Sequence, residues 1–183
     1  MKNKMLKMLN ILQPIFNLFP KFLHNILWNF FIKSDSIPAL AYRYMYFKKY
    51  TKSLGKNVYI GKFTYFRNLN NLIIGDNVSI HAFCYLDAFG GIEIKDNVSI
   101  ANHCTLISSN HSWNDTEVPI KYNPLIPSKI VINEDVWISA GVRVLSNVLI
   151  SSRTVIGAGA VVNKSTDSHS VYVGVPAKKI KEI

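Results

Sequence analysis

Between Ile74 and Val162 the apolar residues keep a period of six. They fall at Ile74, Ile80, Leu86 and Ile92, resume at Ile94, Ile100 and Leu106, and resume again at Ile132, Ile138, Val144, Ile150, Ile156 and Val162. Four positions after most of them stands a small or β-branched residue: Val78, Cys84, Gly90, Val98, Cys104, Val136, Val142, Val148, Thr154, Ala160 and Thr166. A helix repeats at three and four, and a half-buried strand at two. A period of six fits a chain that turns a corner every six residues and points one aliphatic side chain inward from each side. Three sides close a triangular coil of about 18 residues, and coils stack through parallel strands. The pattern predicts an all-β fold, a parallel β-helix, in preference to a sandwich of short strands.

The rhythm breaks twice. The segment IIGDNVSI (73–80) returns as EIKDNVSI (93–100), 20 residues later rather than 18, the extra two being Gly90 and Gly91. After Leu106 a longer break holds Pro119, Pro124 and Pro127. Residues 109–129 therefore read as a loop thrown out from a coil corner, and loops on a rigid scaffold commonly carry function. The rhythm ends at Val171–Val175, before Pro176 and a basic tail with Lys178, Lys179 and Lys181.

Residues 1–55 follow another pattern. Met5, Met8, Leu9, Leu12, Phe16 and Phe19 have helical spacing, as do Phe22, Leu23, Ile26, Leu27 and Phe30, with Pro14 and Pro20 expected to break or kink the run. A further helix is expected over residues 39–52. The chain thus divides into a helical arm (1–55), a β-helix domain (56–175) and a tail (176–183).

Charge sharpens this division. Lys and Arg number 21 against 11 Asp and Glu, a net +10. Residues 1–62 hold eleven Lys and Arg against Asp35 alone, so they account for the excess; residues 63–183 hold ten of each sign and are neutral. A nucleic-acid binder would carry its basic stripe on the folded domain, so no nucleic-acid partner is expected. Cys84 and Cys104 do not make a disulfide framework, and a reducing compartment is expected. Lys2, Lys4 and Lys7 before an apolar run imitate a signal peptide, but Phe19, Pro20 and Lys21 stand where small residues would mark cleavage. No apolar run is long enough to span a bilayer.

The arm admits two readings. Residues 1–33 carry five lysines and no acid, which suits an anionic membrane surface with Trp28 at headgroup level. Equally, helices there can cap the open end of the β-helix, which would otherwise expose strand edges. The expected location is the cytoplasm, either free or peripheral at the inner face of the cell membrane.

The ordered set TLISSNHSWND (105–115), a proline-bearing loop, INEDVWISAGVRVL (132–145), VIGAGAVVNKS (155–165) and GVPAKKIKEI (174–183) resembles the hexapeptide-repeat acetyltransferases. The galactoside, maltose and nodulation-factor O-acetyltransferases and the xenobiotic acetyltransferases are the kin it is similar to, over residues 56–183. The resemblance implies a left-handed β-helix, a homotrimer with sites between neighbouring subunits, acetyl-CoA as donor and a carbohydrate hydroxyl as acceptor. The acceptor it suggests is a cell-surface polysaccharide or glycolipid precursor. The sequence departs from the family at corners. Asn133 follows Ile132, Ser139 replaces a Gly, and Ser151, Ser152 and Arg153 replace Gly-Asp.

A hydroxyl needs a positioned base to lose its proton while it attacks a thioester, and histidine suits neutral pH. The resemblance puts His111 in that role. It puts Asp87 at the acceptor, where a carboxylate accepts sugar hydroxyls. Trp113 and Trp137 are large rigid walls able to stack on a sugar face; Trp137 carries the family motif, and Trp113 reads equally as a loop anchor. The resemblance implies that Ala140, Ala158, Asn163 and Lys164 line the pantetheine arm, that a backbone N–H near Ala140 meets the oxyanion, and that Lys178 and Lys181 meet the phosphates. Cys84 and Cys104 occupy inward slots and read as packing residues. No metal is expected. His81, His103 and His111 lack the spacing of the zinc histidines in the gamma-class carbonic anhydrases, which share the repeat. N-acetylation of an amino sugar and a membrane-associated trimeric scaffold stand as alternatives.

Overall fold

The structure, a computed structural model, describes residues 3–183, with side chains from Leu6 onward. Lys2, and the side chain of Lys4, lie outside the described residues. Three helices, α1 (Asn3–Leu18), α2 (Lys21–Phe31) and α3 (Ile37–Tyr50), precede a parallel β-helix with three faces. The first face stacks Ser53–Leu54, Leu72–Ile74, Ile92–Ile94, Ile130–Ile132 and Leu149–Ile150. The second stacks Tyr59–Ile60, Ser79–Ile80, Ser99–Ile100, Trp137–Ile138, Thr154–Ile156 and Ser170–Val173, and ends on the antiparallel Lys178–Glu182. The third stacks Tyr65–Arg67, Tyr85–Asp87, Thr105–Ile107, Arg143–Val144 and Val161–Val162.

The six-residue aliphatics fill the tube. Ile80, Ile94, Ile100, Leu106, Ile132, Ile138, Val144, Ile150 and Ile156 are fully buried, and burying a side chain of this size contributes about 1.5–3 kcal/mol. The small residues behind them, from Val78 to Thr166, are buried as well. Gly90 is the exception. It lies on a corner, where its N–H donates to the Ser108 hydroxyl at 2.9 Å, and Ala88 takes the buried place instead. The corner needs the two extra residues, and Gly91 there has a φ of +94°.

Register explains the spacing of the repeats. Ser53 pairs with Ile73 and Ile73 with Glu93, so the early coils advance by 20 residues, whereas Val131 pairs with Leu149 after 18. Asn57, Asn77, Asn97, Asp135 and Arg153 occupy the corner between the first and second faces, all left-handed. Asn tolerates that conformation, and the Asn57, Asn77 and Asn97 amides form a ladder with 3.0 Å bonds. Arg153, at the corner where Gly-Asp was expected, is held by Asp135 at 2.8 Å.

The helices cover the open end of the tube. Phe47 of α3 is fully buried and meets Phe66 edge-on at 4.7 Å. Arg43, also fully buried, donates to the carbonyls of Ile60 (2.8 Å), Phe31 (2.7 Å) and Ser34 (2.6 Å) and to the Asp35 carboxylate (2.7 Å). One side chain thus ties three segments of the arm to the first coil. Pro20 separates α1 from α2, but Pro14 lies inside α1 without ending it. Its ring is exposed, so the helix loses one solvent-side hydrogen bond and meets no core clash. Trp28 does not point outward. It is half-buried against Tyr46 (4.6 Å) and Phe47 (6.0 Å). Among the described residues no helix is long and apolar enough to cross a membrane.

Candidate active site

The break after the third coil is more ordered than its composition implies. Ser109–His111 pairs antiparallel with Leu125–Pro127, and His111 stands opposite Leu125. A buried Asn123 organises the tip: its amide donates to the carbonyls of Asp115 (3.0 Å) and Val118 (3.3 Å), and its oxygen accepts the Asp115 N–H (3.2 Å). The root is tied by Ser108, fully buried, whose hydroxyl donates to the Asp87 carbonyl at 2.8 Å. The return strand is held by Lys129, 2.5 Å from Glu93. That hydrogen bond keeps the Glu93 carboxyl below the usual carboxylate range.

His111 and Trp113 rim one small cleft of about 130 Å³, shared with Asn110, Ser112, Asn114, Ile126 and Ser128. Both are exposed, Trp113 by 67%. Sequence reasoning missed this polar surround and the anchoring roles of Ser108 and Asn123. The Asn123-Pro124 turn was the available signal for the latter.

The other expected site residues fall elsewhere on the tube. Asp87 sits one coil below the loop root on the third face, buried, accepting from Asn68 at 2.7 Å and 3.4 Å from Arg67. Asn163 and Lys164 are exposed just beyond the strand Val161–Val162, on the corner that also launches the loop two coils earlier. Ala140 and Ala158 lie on a different corner, between the second and third faces, and are linked by the Gly159 N–H donating to the Ala140 carbonyl at 2.9 Å. Trp137 projects from the second face between Ser99 and Val155, 53% exposed. Lys178 and Lys181 are exposed on the last strand, opposite Val173 and Val171. The histidine cleft and the Ala140–Ala158 line are therefore on separate corners of one chain.

His81 and His103 join aromatic stacks at coil edges. His81 lies 5.4 Å from Tyr59, and His103 lies parallel to Phe83 at 5.0 Å. Among the described residues no three His, Cys, Asp or Glu side chains are placed to hold a metal. Cys84 and Cys104 are buried, and their thiols donate to the carbonyls of Ala101 and Ser139 at 3.1 Å. The hydrogen bond shared with Cys104, together with burial, holds the Cys84 thiol well above the ordinary thiol range.

The chain resembles, at 26% identity and a TM-score of 0.78, a galactoside acetyltransferase solved in complex with coenzyme A, over 88% of this chain and 80% of that one. In fold and in its ordered motifs the chain matches the hexapeptide-repeat acetyltransferase family. Its tube is accordingly the left-handed β-helix of that family. A maltose O-acetyltransferase from Clostridium difficile 630 has the same fold, with a TM-score of 0.77 over 89% of this chain and 86% of that one, at 24% identity. In sequence, a probable acetyltransferase of Mycobacterium tuberculosis is 36% identical over 78 residues, 43% of this chain and 26% of that protein. An Escherichia coli K12 protein, assigned by name to lipopolysaccharide biosynthesis as an O-acetyl transferase, is 38% identical over 65 residues, 36% of this chain and 33% of its own length. The chain thus spans a quarter to a third of the curated relatives it matches. No protein-family model matches it.

Proposed function

We propose that the chain transfers an acetyl group from acetyl-CoA to a sugar hydroxyl, with His111 as the base. The observation that carries this reading is the cleft in which His111 and Trp113 stand together at the end of a braced hairpin. An exposed imidazole beside a flat indole can take a proton from a hydroxyl whose ring packs on the indole. The galactoside acetyltransferase solved with coenzyme A supports the choice of donor. The relative named for lipopolysaccharide biosynthesis supports a glycan or glycolipid precursor as acceptor.

In the proposed reaction the acceptor oxygen attacks the thioester carbonyl carbon as His111 removes its proton. The carbonyl oxygen gains charge, and a backbone N–H can stabilise it, an effect typically worth about 3 kcal/mol. The Ala140 N–H is the candidate, because among the described residues it makes no backbone hydrogen bond. The carbon–sulfur bond then breaks, and the imidazolium returns its proton to the departing thiolate. Asn163, Lys164, Lys178 and Lys181 are the proposed contacts of the donor, and Asp87 and Trp137 those of the acceptor side.

A homotrimer would bring the two separated corners together. His111 of one copy can meet the Ala140–Ala158 line of a neighbour, while within one chain they face different directions. Three copies related by a cyclic axis close such a heterologous contact.

The test is incubation of the chain with labelled acetyl-CoA and a panel of glycan precursors that includes an amino sugar. Base-labile ester label on a hydroxyl is the expected result. Label confined to amide on the amino sugar would replace this reading with N-acetylation, and no transfer to any acceptor would contradict it.

A further inference from the structure

Helices α1 and α2 each lean on α3 with one side and leave the other without a partner. On α1, Leu9 and Phe16 are buried, while Ile11, Ile15 and Leu18 on the opposite side are 74%, 57% and 84% exposed. On α2, His24 is buried, while Phe22, Ile26 and Phe30, one turn apart, are 67%, 61% and 71% exposed. Stripes of large apolar side chains this continuous mark an interaction surface. The charge around them says what covers it. Lys7, Lys21 and Lys33 are exposed and form no ion pair among the described residues. Asp35, the one acid before residue 63, is already paired with Arg43 at 2.7 Å. A second copy laid on this face would bring the same uncompensated lysines together, whereas anionic headgroups would complement them.

We propose that α1 and α2 dock in the plane of an anionic membrane surface. Ile11, Ile15 and Leu18 of one helix and Phe22, Ile26 and Phe30 of the other enter the acyl boundary, while the lysines meet the headgroups. Because α3 separates these helices from the first coil, the β-helix stays on the water side. The docking does not depend on the acyl-transfer reading, and its test has a readout of its own.

The experiment is flotation of the full chain with phosphatidylglycerol vesicles or phosphatidylcholine vesicles, at low and high salt. The chain is expected to float with the anionic vesicles at low salt and to remain below with the zwitterionic ones. The triple variant Lys7→Gln, Lys21→Gln, Lys33→Gln should partition about 10²-fold more weakly, each lysine near an anionic surface being worth about fivefold. The triple variant Ile11→Glu, Ile15→Glu, Phe22→Glu should not float, with its circular dichroism unchanged. Should that variant misfold, the lysine variant decides. A full chain that stays below with anionic vesicles at low salt overturns the proposal. So does a glutamate variant that floats like the parent, or one that sediments as a smaller oligomer, which would give the stripes to contacts between copies.

Discussion

The Ser108 hydroxyl donates to the Asp87 carbonyl at 2.8 Å and accepts the Gly90 N–H at 2.9 Å, so one buried atom fastens the root of the histidine hairpin to the coil beneath it. Ser108→Ala leaves the Gly90 N–H without that partner, while the Asp87 carbonyl keeps the Ser108 N–H at 3.1 Å. The expected cost is about 1–3 kcal/mol, the usual penalty for a buried unpaired polar group. Thermal or urea denaturation checks it, and an unchanged midpoint would show that the hydroxyl does not brace the hairpin.

Arg43 supplies the second test. Its guanidinium satisfies three backbone carbonyls and one carboxylate from full burial. Arg43→Leu keeps much of the apolar stem but strands those acceptors, and a loss of at least about 3 kcal/mol is expected. Protection of the α3 amides from hydrogen exchange should fall further than that of the later coils. Equal losses throughout would show that the cap and the tube unfold as one unit.

His24 gives the cap a pH dependence. Burial, and then the Lys49 cation whose Nζ lies 3.2 Å from Nε2, lower its pKa from the ordinary 6.5. The folded state therefore binds the proton less readily than the unfolded chain. Its contribution is complete above about pH 6.5 and is lost as pH falls from there through the lowered folded value. Denaturation midpoints should drop as pH falls below about 6.5, and His24→Phe should flatten that part of the curve. A variant with the same pH slope as the parent would assign the dependence to other groups.

The two cysteines should prove structural. Cys84→Ala and Cys104→Ala remove buried sulfur from the tube and should cost at most a few kcal/mol while transfer activity persists. Mass spectrometry of the chain mixed with acetyl-CoA should show no acetyl-cysteine. Its appearance would replace direct transfer with a covalent route.

The tube was legible because a six-residue period constrains every coil, from Ile74 to Val162, and burial follows it almost residue by residue. The Gly90 slot was misread although the two-residue insertion was visible in the spacing of the repeats: the inserted residues form the corner itself, and Ala88 fills the buried place. Of the two prolines expected to break or kink the run, Pro20 separates two helices and Pro14 does not end α1. Trp28 was misread because the aromatic residues Tyr46 and Phe47 that draw it inward belong to another helix, some 20 positions on. His111 was singled out by the resemblance to the acetyltransferases, in the loop where the rhythm gives way. The polar groups gathered around it depend on a hairpin closed across the loop, and no local pattern encodes that contact.

The most direct test of the account is the turnover of His111→Ala, measured together with acetyl-CoA affinity. In the proposed reaction His111 acts on the acceptor hydroxyl and is not among the proposed contacts of the donor, so its loss should spare donor binding. Turnover should fall by at least about 10²-fold, the usual contribution of a positioned general base, with acetyl-CoA affinity unchanged. Near-parental turnover in the folded variant would contradict the assignment of His111 and, with it, the proposed mechanism.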